Sequence, residues 1–179
     1  MSFEMVPYVE WDGVRSFPDS YIRTLFERMV VERKADTVLY DEQTHDPDKF
    51  VQLLKNSVSW LVVQDEIVVG LVWLNHHEGR FARMHWVVFE ACPRRQVFEM
   101  GRFVNRNILN MKDKDGGYVY DMLLGFVPIR NGVAIKYVEK CGGKICGEIP
   151  YGAWIACRGR SEPVALICLT RELLNESLH

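Results

Sequence analysis

The stretch from Phe81 to Gly143 constrains the fold more than any other part of the chain. It opens with a strand-like run, Phe81 to Glu90 (FARMHWVVFE), broken by Cys92-Pro93. Val97, Gly101, Val104, Ile108 and Met111 then recur at alternating four- and three-residue spacing, which places them on one helical face. Gly116-Gly117 ends that pattern, and Tyr118 to Val127 (YVYDMLLGFV) reads as a second strand closed by Pro128. A second helix starts near Asn131 and stops at Gly142-Gly143. Strand, helix, strand, helix at this spacing implies a right-handed crossover between two neighbouring parallel strands. A ligand of such a unit is expected near the carboxyl ends of the strands, where a helix N-terminus also points.

The flanking sequence adds antiparallel strands. Met5 to Trp11 reads as a strand ended by the Asp12-Gly13 turn, and Pro18-Asp19-Ser20 as a helix start. Ile22, Leu25, Phe26 and Met29 fall on one face of that helix. The polar segment 41–48 reads as a loop, with Asp46 capping a short helix at whose first position Pro47 stands. Val58 to Val63 and Ile67 to Leu74 form a hairpin, 75–79 a turn, and Phe81 to Glu90 the third strand of the meander. Gly152 to Arg158 and Val164 to Leu169 form a last hairpin, and the polar tail from Arg171 is expected to fray. With no repeat or linker, the 179 residues read as one mixed-sheet α/β domain, 1–179.

Composition excludes several classes of function. A net charge of −2 implies no broad attraction to nucleic acid or anionic membrane. No apolar run approaches the about 20 residues that span a bilayer. The cysteines at 92, 141, 146, 157 and 168 lack the paired spacing of zinc sites, so they read as small buried hydrophobes with free thiols and no metal. Free thiols, together with an N-terminus lacking a secretory pattern, predict a cytoplasmic protein.

The run Asn131-Gly-Val-Ala134-Ile-Lys-Tyr137-Val-Glu139-Lys140-Cys-Gly142, followed by Gly147, resembles the fourth helix of the GNAT N-acetyltransferases. The resemblance extends, by order of elements, from about Val58 to the C-terminus. It implies a GNAT-like, mostly antiparallel mixed sheet with one parallel pair and flanking helices. It also implies acetyl-CoA as acyl donor, an amine of unspecified identity as acceptor, and room for a homodimer. The segment Arg94-Arg-Gln-Val-Phe-Glu-Met-Gly101 stands where the family has its glycine-rich pyrophosphate loop, and lacks those glycines. Tyr137 stands one residue before the place of the family's tyrosine, which Val138 occupies here.

The resemblance then distributes the chemistry. Val87, Val88 and Phe89 would offer backbone to the pantetheine arm, and Arg94, Arg95, Gln96 and Val97 would meet the pyrophosphate. Asn131 is an N-cap and a candidate pantetheine contact. Tyr137 is the candidate acid for the leaving thiolate, with a packed core tyrosine as the structural reading. Glu90 and His85 on the central strand, and Asp121 on an otherwise apolar face of its neighbour, are candidate bases beside a water-relayed one. The expected function is acyl-CoA-dependent N-acyl transfer, with acetyl as the expected acyl group, to an amine of a small molecule or protein. The alternative is a non-catalytic protein of the same fold that binds CoA, binds a protein partner or serves a structural role.

Overall fold

The computed structural model describes residues 2–40 and 46–176, and the chain divides into two compact units. Most of the predicted loop 41–48, residues 41–45, and the last three residues of the tail lie outside the described residues.

The first unit comprises Met1–Asn75, His85–Cys92 and Ile155–Gly159. In chain order it carries β1 (Phe3–Pro7), β2 (Glu10–Trp11), β3 (Val14–Arg15), α1 (Asp19–Val31), α2 (Ala35–Val38), α3 (Pro47–Lys55), β4 (Val58–Gln64), most of β5 (Ile67–Glu78) and the second half of β6 (Phe81–Val88). The first predicted strand is split: β1 stops at Pro7, and β2 and β3 make a small hairpin around Asp12-Gly13. Both turn residues have positive φ, 50° and 77°, which Asp and Gly tolerate best.

β1 and β5 flank β4, both antiparallel to it. On α1 the apolar stripe Ile22, Leu25, Phe26 and Met29 is buried as its spacing predicts. It packs with Phe50, Val51 and Leu54 of α3 and with Leu61, Leu71 and Trp73 of the sheet. The start of α3 follows from two residues. The Asp46 carboxylate accepts from the Asp48 and Lys49 amides at 2.9 Å each, and Pro47 begins the helix without an amide to satisfy.

Asp19, first residue of α1, accepts from the Lys55 ammonium at 2.5 Å and from the Tyr8 hydroxyl at 2.9 Å. The Lys55 bond holds the Asp19 carboxyl below the ordinary value of 3.8. Burial first, and Asp19 second, push the Tyr8 hydroxyl up to about 12. A depressed folded-state pKa stabilises fully above the unfolded value and is lost as pH falls through the folded value. The stability gap between the parent and an Asp19→Asn variant is therefore expected to shrink as pH drops below 3.8. Unfolding in urea at several pH values reads it, and a gap that stays constant would contradict the linkage.

The second unit comprises His76–Met84, Pro93–Trp154 and Arg160–His179. It carries a 3-10 turn (Arg94–Gln96), α4 (Val97–Leu109), β7 (Met122–Pro128), α5 (Gly132–Lys140), nearly all of β8 (Lys144–Ile155), β9 (Arg160–Thr170) and α6 (Arg171–Glu176). β6 and β7 are parallel through Phe81↔Met122, Ala82↔Leu123 and Arg83↔Leu124, and both strands continue past this three-rung ladder. β9 pairs antiparallel with the whole of β7 through its residues 164–170. The strand order is β1-β4-β5-β6-β7-β9-β8, a seven-stranded sheet whose one parallel pair is the predicted crossover unit.

Five expectations are corrected. β5 runs through Asn75 to Glu78, so the predicted turn shifts to Gly79, whose φ is 54°. β6 ends at Val88, two residues before Glu90. β7 starts at Met122 because the Asp113 carboxylate ties the preceding turn, accepting from the Asp115 and Gly117 amides, and the Asp121 amide donates to the Arg80 carbonyl. The tail is anchored through residue 176: Arg171 donates to the Leu109 and Tyr120 carbonyls, and Leu174 is buried. Among the cysteines, Cys92 and Cys141 are buried and free. Cys157 is exposed, and Cys146 and Cys168 are joined in a disulfide across neighbouring strands.

Candidate functional site

In the first unit the candidate groups sit where β6 leaves the sheet. Val87 and Phe89 are buried and Val88 is half-buried, the alternation of a strand with one covered face. The Phe89 amide donates to the Val69 carbonyl at 3.0 Å. Its ring lies 4.2 Å under the Arg28 guanidinium. Arg28 is itself fixed by Glu32, at 2.7 Å, and by the Val68 carbonyl, at 2.9 Å. The second Glu32 oxygen accepts from the Glu90 amide at 2.7 Å. Helix α1 thus pins the backbone at the end of β6. Glu90 lies outside the strand and is exposed.

His85 is held on two sides. Its ring stacks on Trp73 at 5.2 Å and 4°, and its Nε2 lies 3.0 Å from Asn75 Oδ1. An amide oxygen only accepts, so with Asn75 Oδ1 as its partner a neutral His85 carries the hydrogen on Nε2 and the lone pair on Nδ1. That is the tautomer a proton acceptor at Nδ1 needs. Trp73 and Asn75 were not singled out in the sequence. Both lie on β5, whose extension past the predicted turn is what brings Asn75 to His85.

In the second unit, Arg94 and Arg95 are exposed on the 3-10 turn that leads into α4. Gln96, the N-cap of α4, makes no side-chain capping bond, and Val97 and the exposed Phe98 begin the helix. Asn131 Oδ1 accepts from the Ala134 amide at 3.2 Å, which makes Asn131 the N-cap of α5.

Tyr137 crosses from α5 to α4. Its hydroxyl donates to the Val97 carbonyl at 3.3 Å, and its ring stacks on Phe98 at 5.9 Å. Gly101 makes this approach possible: a β-carbon there would stand 2.6 Å from the Tyr137 hydroxyl. Beside it, burial pushes the Cys141 thiol up to about 11, so the thiol stays protonated at neutral pH.

Asp121 is exposed and ion-paired with Arg171 at 2.5 Å, a placement that corrects the expected apolar face. The Arg171 guanidinium also stacks over Tyr118 at 3.8 Å. The structure therefore brings Tyr137, Val97 and the start of α4 together, and separately holds His85 on Trp73 and Asn75. It leaves Asp121 in a structural clamp.

The sheet order, the single parallel pair and the flanking helices define the fold of the GNAT N-acetyltransferases. The chain is similar to the Vibrio cholerae spermidine N-acetyltransferase crystallised with CoA and spermine, with a TM-score of 0.69 at 14% identity over 97% of this chain and 98% of that one. It is similar as well to mutant forms of the Vibrio cholerae spermidine/spermine N-acetyltransferase, with a TM-score of 0.62 at 16% identity over 98% and 99% of the two chains. A third structure, AAC(6')-Ib with ribostamycin and coenzyme A, has a TM-score of 0.69 at 9% identity, over 98% of this chain and 97% of that one. No family model and no curated protein matches the sequence. Among the described residues no helix is long and apolar enough to cross a membrane.

Proposed function

We propose that residues 1–179 form one acyl-CoA N-acyltransferase-like domain that transfers acetyl from acetyl-CoA to an amine of a small molecule or protein, in the cytoplasm and as a homodimer. The observation that carries this reading is the near-complete overlap with solved structures that hold CoA together with an amine. The chain's own residues fit an acyl-CoA. Arg94 and Arg95 place two guanidinium groups beside a helix start without a side-chain cap, where phosphates are favoured. Val87 to Phe89 supply strand backbone for an amide-containing arm.

In the proposed reaction the amine nitrogen attacks the thioester carbonyl, loses a proton, and the thiolate departs and is protonated. His85, oriented by the Trp73 ring and by Asn75, is the side chain proposed to accept that proton, directly or through water. Glu90 is a second, solvated acceptor. Tyr137 would have to give up its bond to the Val97 carbonyl to protonate a thiolate, so its role is chiefly to fix α5 against α4. That bond, together with Val97 and Phe98 in place of loop glycines, also favours the second reading, a non-catalytic CoA-binding protein of this fold.

A ligand that binds only the native state stabilises it by RT ln(1 + [L]/Kd), so acetyl-CoA at about 100 times its Kd is expected to add about 2.7 kcal/mol. Thiol release should then follow when amines such as spermine, ribostamycin or an N-terminal peptide are supplied. Stabilisation without thiol release across the panel selects the non-catalytic reading. No stabilisation by millimolar acetyl-CoA removes both.

A further inference from the structure

β8 is an edge strand, with β9 on one side and, among the described residues, no strand on the other. Its first nine residues, 144–152, are exposed on both faces. A strand at the edge of a packed sheet ordinarily buries alternate side chains, so a stretch exposed on both faces offers a row of backbone groups and a side-chain stripe for another strand. The stripe here is apolar. Ile145, Gly147 and Ile149 share one face, and the two isoleucines are 43% and 37% exposed. Lys144, Cys146 and Glu148 share the other. Neither Lys144 nor Glu148 is in an ion pair within the chain, among the described residues.

We infer that β8 pairs antiparallel with β8 of a second copy of this chain, about a two-fold axis at Cys146. The charge order selects both partner and register. With Cys146 opposite itself, Lys144 faces the second copy's Glu148, and the reverse, so every charge is matched and the pair forms twice. The same register sets Ile145 opposite the second copy's Gly147. The isoleucines of both copies then become diagonal neighbours above the small residues. Centring on Gly147 instead would set Lys144 against Pro150 and Glu148 against Cys146, leaving both charges unmatched. Pro150, which lacks an amide, and Tyr151, with φ of 56°, end the regular strand just past the paired residues.

This inference rests on the homodimer reading above and names its surface. Sedimentation of the purified chain is expected to give twice 20.8 kDa. Glu148→Lys should lower the mass to the monomer by setting Lys144 against lysine. The charge-swapped Lys144→Glu/Glu148→Lys variant should return it to the dimer. As a register test, Cys168→Ser releases Cys146 from its disulfide. Directly opposite residues lie about 4.5–5.5 Å apart at Cα, within reach of a disulfide. Mild oxidation with copper phenanthroline should therefore link two Cys168→Ser chains, and should not link Cys146→Ser/Cys168→Ser chains, although these keep the exposed Cys157. A monomeric parent overturns both the homodimer and this surface. A dimer that survives Glu148→Lys, a swapped variant that stays monomeric, or an unlinked Cys168→Ser chain overturns this surface and register alone.

Discussion

Replacing Trp73 with alanine is expected to cost about 3–5 kcal/mol of stability, the range for deleting a large aromatic from a close-packed core. Trp73 is 1% exposed. It meets Phe50 edge-on at 6.0 Å, Phe50 meets Phe26 at 5.5 Å, and the His85 ring stacks on the other side of the indole. Alanine would empty this cluster and remove the ring on which His85 stacks. Trp73→Phe is the informative comparison. Among the described residues the buried indole Nε1 has no hydrogen-bond partner, so phenylalanine removes that donor while keeping a ring for Phe50 and His85. Chemical unfolding of the two variants is expected to place phenylalanine much closer to the parent. Equal losses would mean that indole volume alone sets the cost.

What the sequence made legible was local. The stripe on α1, the Asp46-Pro47 helix start, the Asn131 cap and the strand–helix–strand–helix order each depend on residues within a turn or two of one another. What stayed hidden depends on partners far along the chain. Asp121 leaves its expected face because Arg171, fifty positions later, ties it and the carbonyls around it. Cys146 and Cys168 are 22 residues apart, and only the neighbouring places of β8 and β9 bring them together.

Strand β8 was foreseen only from Gly152 because Gly147, Pro150 and Gly152 look like breakers. A proline is tolerated there since the strand lies at the sheet edge and needs no ladder amide on its open side. The candidate site divides in the same way. Residue types at Arg94, Arg95 and Asn131 could be read from their positions at helix starts. The tautomer of His85 depends on Asn75, which the predicted turn would have directed elsewhere.

Gly101→Ala offers the sharpest test of how the two helices of the second unit are joined. In an exposed helix interior the change would stabilise by about 1 kcal/mol, through propensity alone. At Gly101 the added β-carbon would stand 2.3 Å from the Cys141 sulfur and 2.6 Å from the Tyr137 hydroxyl, with the Cys141 β-carbon at 3.2 Å. Neither contact yields easily. The thiol is buried at the C-terminal cap of α5, and the hydroxyl donates to the Val97 carbonyl. Overpacking of this kind costs about 1–3 kcal/mol, so the expected sign is reversed and the variant should be less stable than the parent.

A second substitution separates the contacts. Cys141→Ala removes the sulfur, the nearer obstacle, at the expense of a small cavity. If the clash sets the sign, Gly101→Ala should cost less in the Cys141→Ala background than in the parent, with a favourable coupling of about 0.5–3 kcal/mol between neighbouring sites. The Tyr137 hydroxyl remains in the way, so recovery should be partial, and adding Tyr137→Phe should extend it. Additive losses in urea unfolding would show that α4 and α5 separate freely at Gly101, and that the Tyr137–Val97 bond does not fix the start of α4.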